Sequence, residues 1–388
     1  MDYSSIEYSI PYVCILLVLF VCALLEQKNI KGFISKNFLR NFSLLLVIIF
    51  FGLRGYVASD WISYTQFYED VPPIYNLFSS GYLKIVNFEL GFVLFSSIIK
   101  TFSDNYIFYS FVNSLVNLLL LNIILKRYCS NYFIFGLAIY FAFCSEYEIN
   151  MLRNVKAIML FLISIKYILN RNIVAFLIIN IIGLSFHNSA IFYFPLYFFI
   201  HKNKKKTYLI ISIVGLVIYF LQIHYIGAIT SVIGDTLGGM FKEKNDFYLK
   251  GEDSGVTLGI FYTIIPLFLA FKYYDKILAY RSENIIFINL LFLYCFSTLY
   301  LSEILVFRGR FAALFAFSLS VILPLYYILQ KKVIDRKIIS SLLLVIVVSK
   351  ITITNMPILN KYDNIIFGIS SYQERREIID SYYYKYLR

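Results

Sequence analysis

The chain has 388 residues, of which 60% are apolar and only 15% charged, against roughly 25% charged in a soluble globular chain. Its net charge is +12, but the basic residues sit in short stretches between apolar runs, where they set membrane topology and do not imply nucleic acid. The five cysteines are scattered, with no C-x-x-C pair, and indicate neither a disulfide framework nor a zinc site. The first apolar run, 10–25, follows Asp2 and Glu7 rather than basic residues and has no small-residue cleavage site after it. It reads as a retained helix, not a signal peptide.

Further apolar runs follow near 38–53, 106–125, 132–147, 153–169, 173–186, 189–200, 208–226, 257–271, 284–302, 311–329 and 338–353, twelve candidate spans in all with a range of 11–14. A crossing helix needs about 17–25 apolar residues. The expected fold is therefore all-α, a polytopic integral membrane protein. One membrane domain covers 1–353, the tail 354–388 is external, and 54–105 and 227–256 are long outer segments. With the N-terminus outside, the inner loops become 26–41, 126–131, 166–172, 201–206, 272–283 and 330–337. They hold 19 basic and four acidic side chains, a net +15, which leaves the rest of the chain at −3. Such a bias is what the positive-inside rule demands. Segment 88–102 reads as an interfacial or re-entrant helix within the first outer segment, because a span there would turn Lys202 and Lys204–Lys206 outward. No inner loop is long enough for a nucleotide-binding domain, and no Walker-type loop or Rossmann glycine pattern occurs.

Ionisable groups beside apolar spans are costly, and each is a functional candidate unless it merely snorkels to the interface. In chain order these are Arg54 and Asp60 after the second run, Arg153 opening the fifth, His187 between the sixth and seventh, and Glu303, Arg308 and Arg310 between the tenth and eleventh. All fall on the outer side of this topology. Asp60, Tyr64 and Tyr68 share a face if their stretch is helical, although with 35 tyrosines in the chain an aromatic belt accounts for the tyrosines equally well. The run 173–200 is bounded by Arg171 and Lys202, so both ends want the same side and the run is a hairpin. Arms of about 14 residues reach ~21 Å, short of the ~30 Å hydrocarbon core, which puts the turn F-H-N-S in a recess. A histidine satisfied by a neighbouring carbonyl is the plainer alternative. Arginine binds phosphate oxygens bidentately and keeps its charge, so Arg54, Arg153, Arg308 and Arg310 together suggest a phosphate or diphosphate site.

Five short motifs carry a resemblance. They are F-F-G-L-R-G (50–55) with Asp60 and Tyr64 following, F-E-L-G-F (88–92), M-L-R-N-V-K-A (151–157), S-F-H-N-S-A (185–190) and R-G-R-F (308–311). In this order the chain resembles the EpsG/Wzy group of bacterial polysaccharide polymerases, departing from it at Asn154, where the group often has glutamine after the arginine. The resemblance implies a multi-helix membrane glycosyltransferase of GT-C-like architecture in the bacterial cytoplasmic membrane. Its substrate would be a lipid-linked oligosaccharide, the undecaprenyl diphosphate repeat unit, joined on the periplasmic or outer face. Membrane lipid, a chain-length regulator and a flippase are the implied partners, and no cofactor is implied.

The residues fit that chemistry. A lipid diphosphate leaves readily and needs charge stabilisation, for which Arg153, Arg308 and Arg310 are candidates with Arg54 as a fourth. The acceptor hydroxyl calls for a base, and His187 and Asp60 both remain open, a carboxylate being the commoner base beside an oxocarbenium-like centre. Tyr64, Glu303 and Glu89 are weaker candidates for substrate binding. No D-x-D motif occurs, so metal independence is expected. A transporter or flippase predicts matched repeats with helix breakers, which are not evident, and a sugar-decorating acyltransferase needs a histidine with an acidic or serine partner and a cytoplasmic acyl source.

Overall fold

The computed structural model describes residues 3–28, 35–237 and 255–386. Positions 29–34 of the first inner loop and 238–254 of the second long outer segment lie outside the described residues. Among the described residues the chain is helical, and its only strand-like pairings are three isolated bridges. It packs as two compact units, Met1–Phe198 with Ser341–Arg388, and Phe199–Ser340.

In chain order the helices of the first unit begin with α1 (Ile10–Lys28) and α2 (Lys36–Gly52), followed by α3 (Trp61–Asp70), α4 (Ile74–Leu77) and α5 (Leu90–Lys100). Then come α6 (Tyr106–Tyr128), α7 (Phe133–Asn150), α8 (Leu152–Leu169) and α9 (Ile173–Phe186). Local chemistry fixes their starts. The Asn105 side chain accepts the Ile107 and Phe108 amides at 2.7 and 3.1 Å, and Asn172 accepts the Ala175 amide at 3.0 Å, each satisfying donors that the first helical turn leaves open. A single residue, Met151, separates α7 from α8. That tight corner brings Asn150 and Arg153 close together.

Each of the twelve apolar runs falls on helical segments, and their surfaces are inverted relative to a soluble protein. On α9 the apolar Val174, Ile178, Ile181 and Ile182 are exposed, whereas Asn180 is buried and donates to Ser164 Oγ at 2.9 Å. Apolar surface outside with polar side chains turned inward is the arrangement that lipid requires. Among the described residues, by length and apolarity alone, three helices are fit to cross a membrane, Ile6–Lys28, Tyr106–Tyr128 and Val333–Asn355. Two expected spans are broken. Run 189–200 is a 3₁₀ helix (Asn188–Tyr193) followed by the one-turn α10 (Leu196–Phe199), because Pro195 has no amide to continue the ladder. Run 311–329 is divided between two helices bent by 61°.

The expected outer segment 54–105 is folded. Its helix at 88–102 is α5, whose 11 residues reach only ~16 Å and do not cross a bilayer. Trp61, Tyr64, Phe67 and Tyr68 of α3 pack with Phe92 and Val93 of α5 and with Leu152 in one apolar cluster. Tyr68 is wholly structural, since its hydroxyl donates to the Ser103 carbonyl at 2.5 Å and its ring stacks on Tyr109. Gly91 lets α5 meet α9. A Cβ there would lie 2.9 Å from the Ser185 carbonyl oxygen and would collide with the Ser185 hydroxyl. Since backbone cannot swing aside, Gly91→Ala should cost about 1–3 kcal/mol. A lower thermal unfolding midpoint in detergent would register it, and an unchanged midpoint would refute the close approach.

The second unit contains α11 (Lys205–Phe220), α12 (Ile226–Leu237), α13 (Phe261–Tyr280), α14 (Asn284–Tyr300), α15 (Leu305–Phe315) and α16 (Phe317–Ile328). α14 is central, touching α11, α13, α15 and α16. α17 (Val333–Asn355) leads out of it into the tail.

The tail folds back within the first unit. Ala58 and Gly55 donate to the carbonyls of Leu359 and Asp363 at 2.8 and 3.1 Å, and Ile365 donates to Leu53. Arg375 pairs with Asp363 at 3.0 Å, and Tyr372 of α18 (Tyr372–Tyr386) packs its ring against Trp61. Residues 53–58 are therefore strapped down just ahead of Asp60. Ala58 is held there in the left-handed region at φ 71°, which costs about 1–2 kcal/mol in a residue with a Cβ.

Candidate active site

Glu89 is the hub. It stands at the N-cap of α5, yet its carboxylate bonds no amide of that helix and reaches across instead. Oε2 meets Arg153 Nη1 at 2.5 Å, and Oε1 accepts the Asn188 amide at 3.1 Å. One carboxylate thus ties the start of α8 to the turn after α9. Arg153 also lies over the Phe88 ring, 4.5 Å from its centroid, a cation–π contact that holds the guanidinium plane. Its Nε is buried and finds no partner among the described residues.

Tyr64, on α3, completes this side. Burial pushes its phenol up, with Arg153 pulling the other way and Asp60 adding to the rise. Asp60, exposed at the head of α3, accepts the Ser59 hydroxyl at 3.3 Å, and its amide points at Asn150 Oδ1, 3.4 Å away. The α7–α8 corner therefore holds the Asp60 turn on one side and Arg153 on the other.

His187 ends α9 in extended backbone. Its Nδ1 is 2.7 Å from Ser189 Oγ and 3.1 Å from the Ser189 amide, and Ser189 Oγ in turn donates to Asn154 Oδ1 at 2.8 Å. Glu89 thus joins Arg153 to the backbone beside His187, and Tyr64 interacts electrostatically with both Arg153 and Asp60. Phosphate oxygens could take the Arg153 donors that Glu89 leaves, next to an imidazole and an exposed carboxylate.

The EpsG family model matches residues 37–377. The chain belongs to the EpsG family. With its apolar helices, that membership makes it a membrane protein of polysaccharide biosynthesis. Searches of curated proteins and of solved structures each return no match.

In this family member the other candidates are placed differently. Arg54 is buried at the end of α2, where it donates to the Phe51 carbonyl and, at 2.8 Å, to Ser114 Oγ. Its guanidinium is committed to the helix interior. Glu303, in the second unit, accepts the amides of Tyr225, Ile226 and Gly227 at 2.8, 2.7 and 2.8 Å, so it caps the N-terminus of α12. Arg308 is half-buried and Arg310 exposed on α15, two residues apart and so on different faces of the helix.

The helix interior also holds charged side chains that the sequence did not single out. Glu148 and Lys156, both fully buried, lie within apolar helices. Glu148 accepts Asn117 Nδ2 at 3.0 Å and the Tyr140 hydroxyl; Lys156 donates to Asn113 Oδ1 at 2.6 Å and to the Leu152 carbonyl at 3.2 Å. Lys156 is one turn beyond Arg153 on α8. The signal was present, because charges inside apolar runs mark buried networks, and Asn113 and Asn117 recur at i, i+4. Among the described residues no three His, Cys, Asp or Glu side chains gather closely enough to hold a metal ion.

Proposed function

We propose that this chain joins undecaprenyl-diphosphate-linked oligosaccharide repeats on the outer face of the bacterial cytoplasmic membrane, through about twelve spans in a GT-C-like arrangement. The observation that carries this reading is the Glu89 bridge, which sets a diphosphate-binding arginine beside a histidine turn. Membership of the EpsG family supports the polysaccharide class. In the reaction the acceptor sugar hydroxyl attacks the donor's anomeric carbon. The new glycosidic bond forms as the bond from that carbon to the diphosphate oxygen breaks, and the electron pair leaves with the lipid diphosphate. Arg153 stabilises the charge that develops there. The hydroxyl proton passes to His187, or to Asp60 in the alternative assignment.

The direct test supplies purified protein in lipid nanodiscs with a polyprenyl-diphosphate-linked repeat. A ladder of polymers that persists in excess EDTA is the expected result. Loss of the ladder on chelation with recovery on Mg²⁺ would show a metal step, and no ladder with any lipid-linked repeat would refute the polymerase. Orientation is tested separately with a reporter active only in the cytoplasm. Fusion after Lys205 should give signal and fusion after Ser103 should not. The reverse pattern would put the site on the inner face.

A further inference from the structure

We infer that the tail loop 364–369 is a membrane anchor, whose apolar tip enters the acyl region of the leaflet that the C-terminal end of α2 reaches. Ile365, Ile366 and Ile369 are exposed and Phe367 is 90% exposed. No charged residue lies between Asp363 and Glu374. Four large apolar side chains turned outward from one loop mark a contact surface. Local bonds shape the tip. The Asn364 carbonyl accepts the Phe367 amide at 3.0 Å, and its side-chain Oδ1 accepts the Ile366 amide at 3.0 Å. Gly368, at φ 101°, then turns the chain back through a backbone region that favours glycine.

Depth and backbone satisfaction both point to lipid as the occupant. The loop is bonded to the last turn of α2. Ile365 donates to the Leu53 carbonyl at 2.9 Å and the Tyr362 hydroxyl to the Phe50 carbonyl at 2.8 Å, while the Tyr362 ring stacks on Phe50 with centroids 4.1 Å apart. From Asn41 to Leu53 the chain carries no charge, and at 1.5 Å per residue this stretch reaches about 20 Å, short of the ~30 Å hydrocarbon core. A loop tied to its end therefore lies at the membrane boundary and not out in water. α2 meets lipid itself, since Phe38, Phe42 and Leu45, which share one face, are exposed. The amides of Ile365, Ile366, Phe367 and Ser370 all donate to protein oxygens, those of Leu53, Asn364 and Asp363. Backbone beside lipid has to be satisfied from within the protein, whereas water would serve it otherwise. A protein partner finds polar groups to bond around an apolar patch, but this loop turns its amides inward and has no charge to offer. Because the same stretch straps residues 53–58 through Gly55 and Ala58, the anchor sets the depth of the segment that leads to Asp60.

The experiment puts a fluorophore on the tip of the full chain in lipid nanodiscs. Phe367→Trp is read as the emission added over the wild type, whose one tryptophan, Trp61, is buried. The added emission should lie to the blue of tryptophan in water. Lipid brominated along the acyl chain should quench it, and iodide in the buffer should have little effect. Ile366→Trp reads the same loop independently should Phe367→Trp fail to fold. Added emission that iodide quenches as it does free tryptophan would place the tip in water and overturn the anchor. Protection from both quenchers would place it under protein, a second copy or another chain, and would overturn the anchor as well.

Discussion

Arg153→Lys should stop polymer formation while the protein stays folded in the membrane. Lysine keeps the positive charge but not the planar fork, and three features of the site need the fork. One arm meets Glu89 Oε2 at 2.5 Å, the plane lies over Phe88, and Nε is buried with no partner among the described residues. An ammonium that reached Glu89 would have no second set of donors in a fixed direction for a diphosphate. Removing one preorganised donor to developing charge typically costs about 10²–10³ in rate. The measurement is polymer yield with lipid-linked repeat, alongside elution as a single species in detergent. A wild-type ladder would reduce Arg153 to a structural partner of Glu89. Glu89→Gln separates the two roles, because it keeps the shape, weakens the hold on Arg153 and should raise donor KM more than it lowers kcat.

What the sequence made legible follows from what is local. Apolar runs and their caps report helices, and 88–102 reads as interfacial or re-entrant because a span there would turn Lys202 and Lys204–Lys206 outward. The His187 turn and the Arg153 helix start were recognisable for the same reason, as polar residues at the ends of apolar runs. Long-range partners were not. Nothing local tells that Glu89 bridges to Arg153, 64 residues on, or that Glu303 caps a helix beginning 77 residues earlier. Arg54 illustrates the limit most clearly. A charge after a span looks like an interfacial group, but Ser114 on a neighbouring helix and the Phe51 carbonyl satisfy it inside the bundle. The break in run 189–200 was legible in Pro195, whereas the polar stripe of α6 that receives Lys156 and Glu148 was concealed by the apolar residues around it.

Substitutions at His187 and Asp60 separate the two candidate bases. His187 must be neutral to accept a proton, so if it is the base, the rate should rise with pH through its pKa, ordinarily about 6.5. His187→Gln should then lose most of a general-base contribution of about 10²–10⁴ while donor binding persists. Asp60, exposed and hydrogen-bonded by the Ser59 hydroxyl at 3.3 Å, would act instead with a limb in the carboxylate range near 4. In that case Asp60→Asn carries the loss, and His187→Gln mainly weakens binding through the Asn188–Glu89 contact that its turn supports. The contacts favour His187. Its ring is oriented by Ser189, and the Asn188 amide that follows it bonds Glu89, the partner of Arg153, whereas Asp60 is exposed and accepts the Ser59 hydroxyl. Polymer formation against pH in both variants, with donor binding followed independently, decides between them. Near-normal turnover in both would remove general-base catalysis and leave arginine electrostatics and positioning as the whole mechanism.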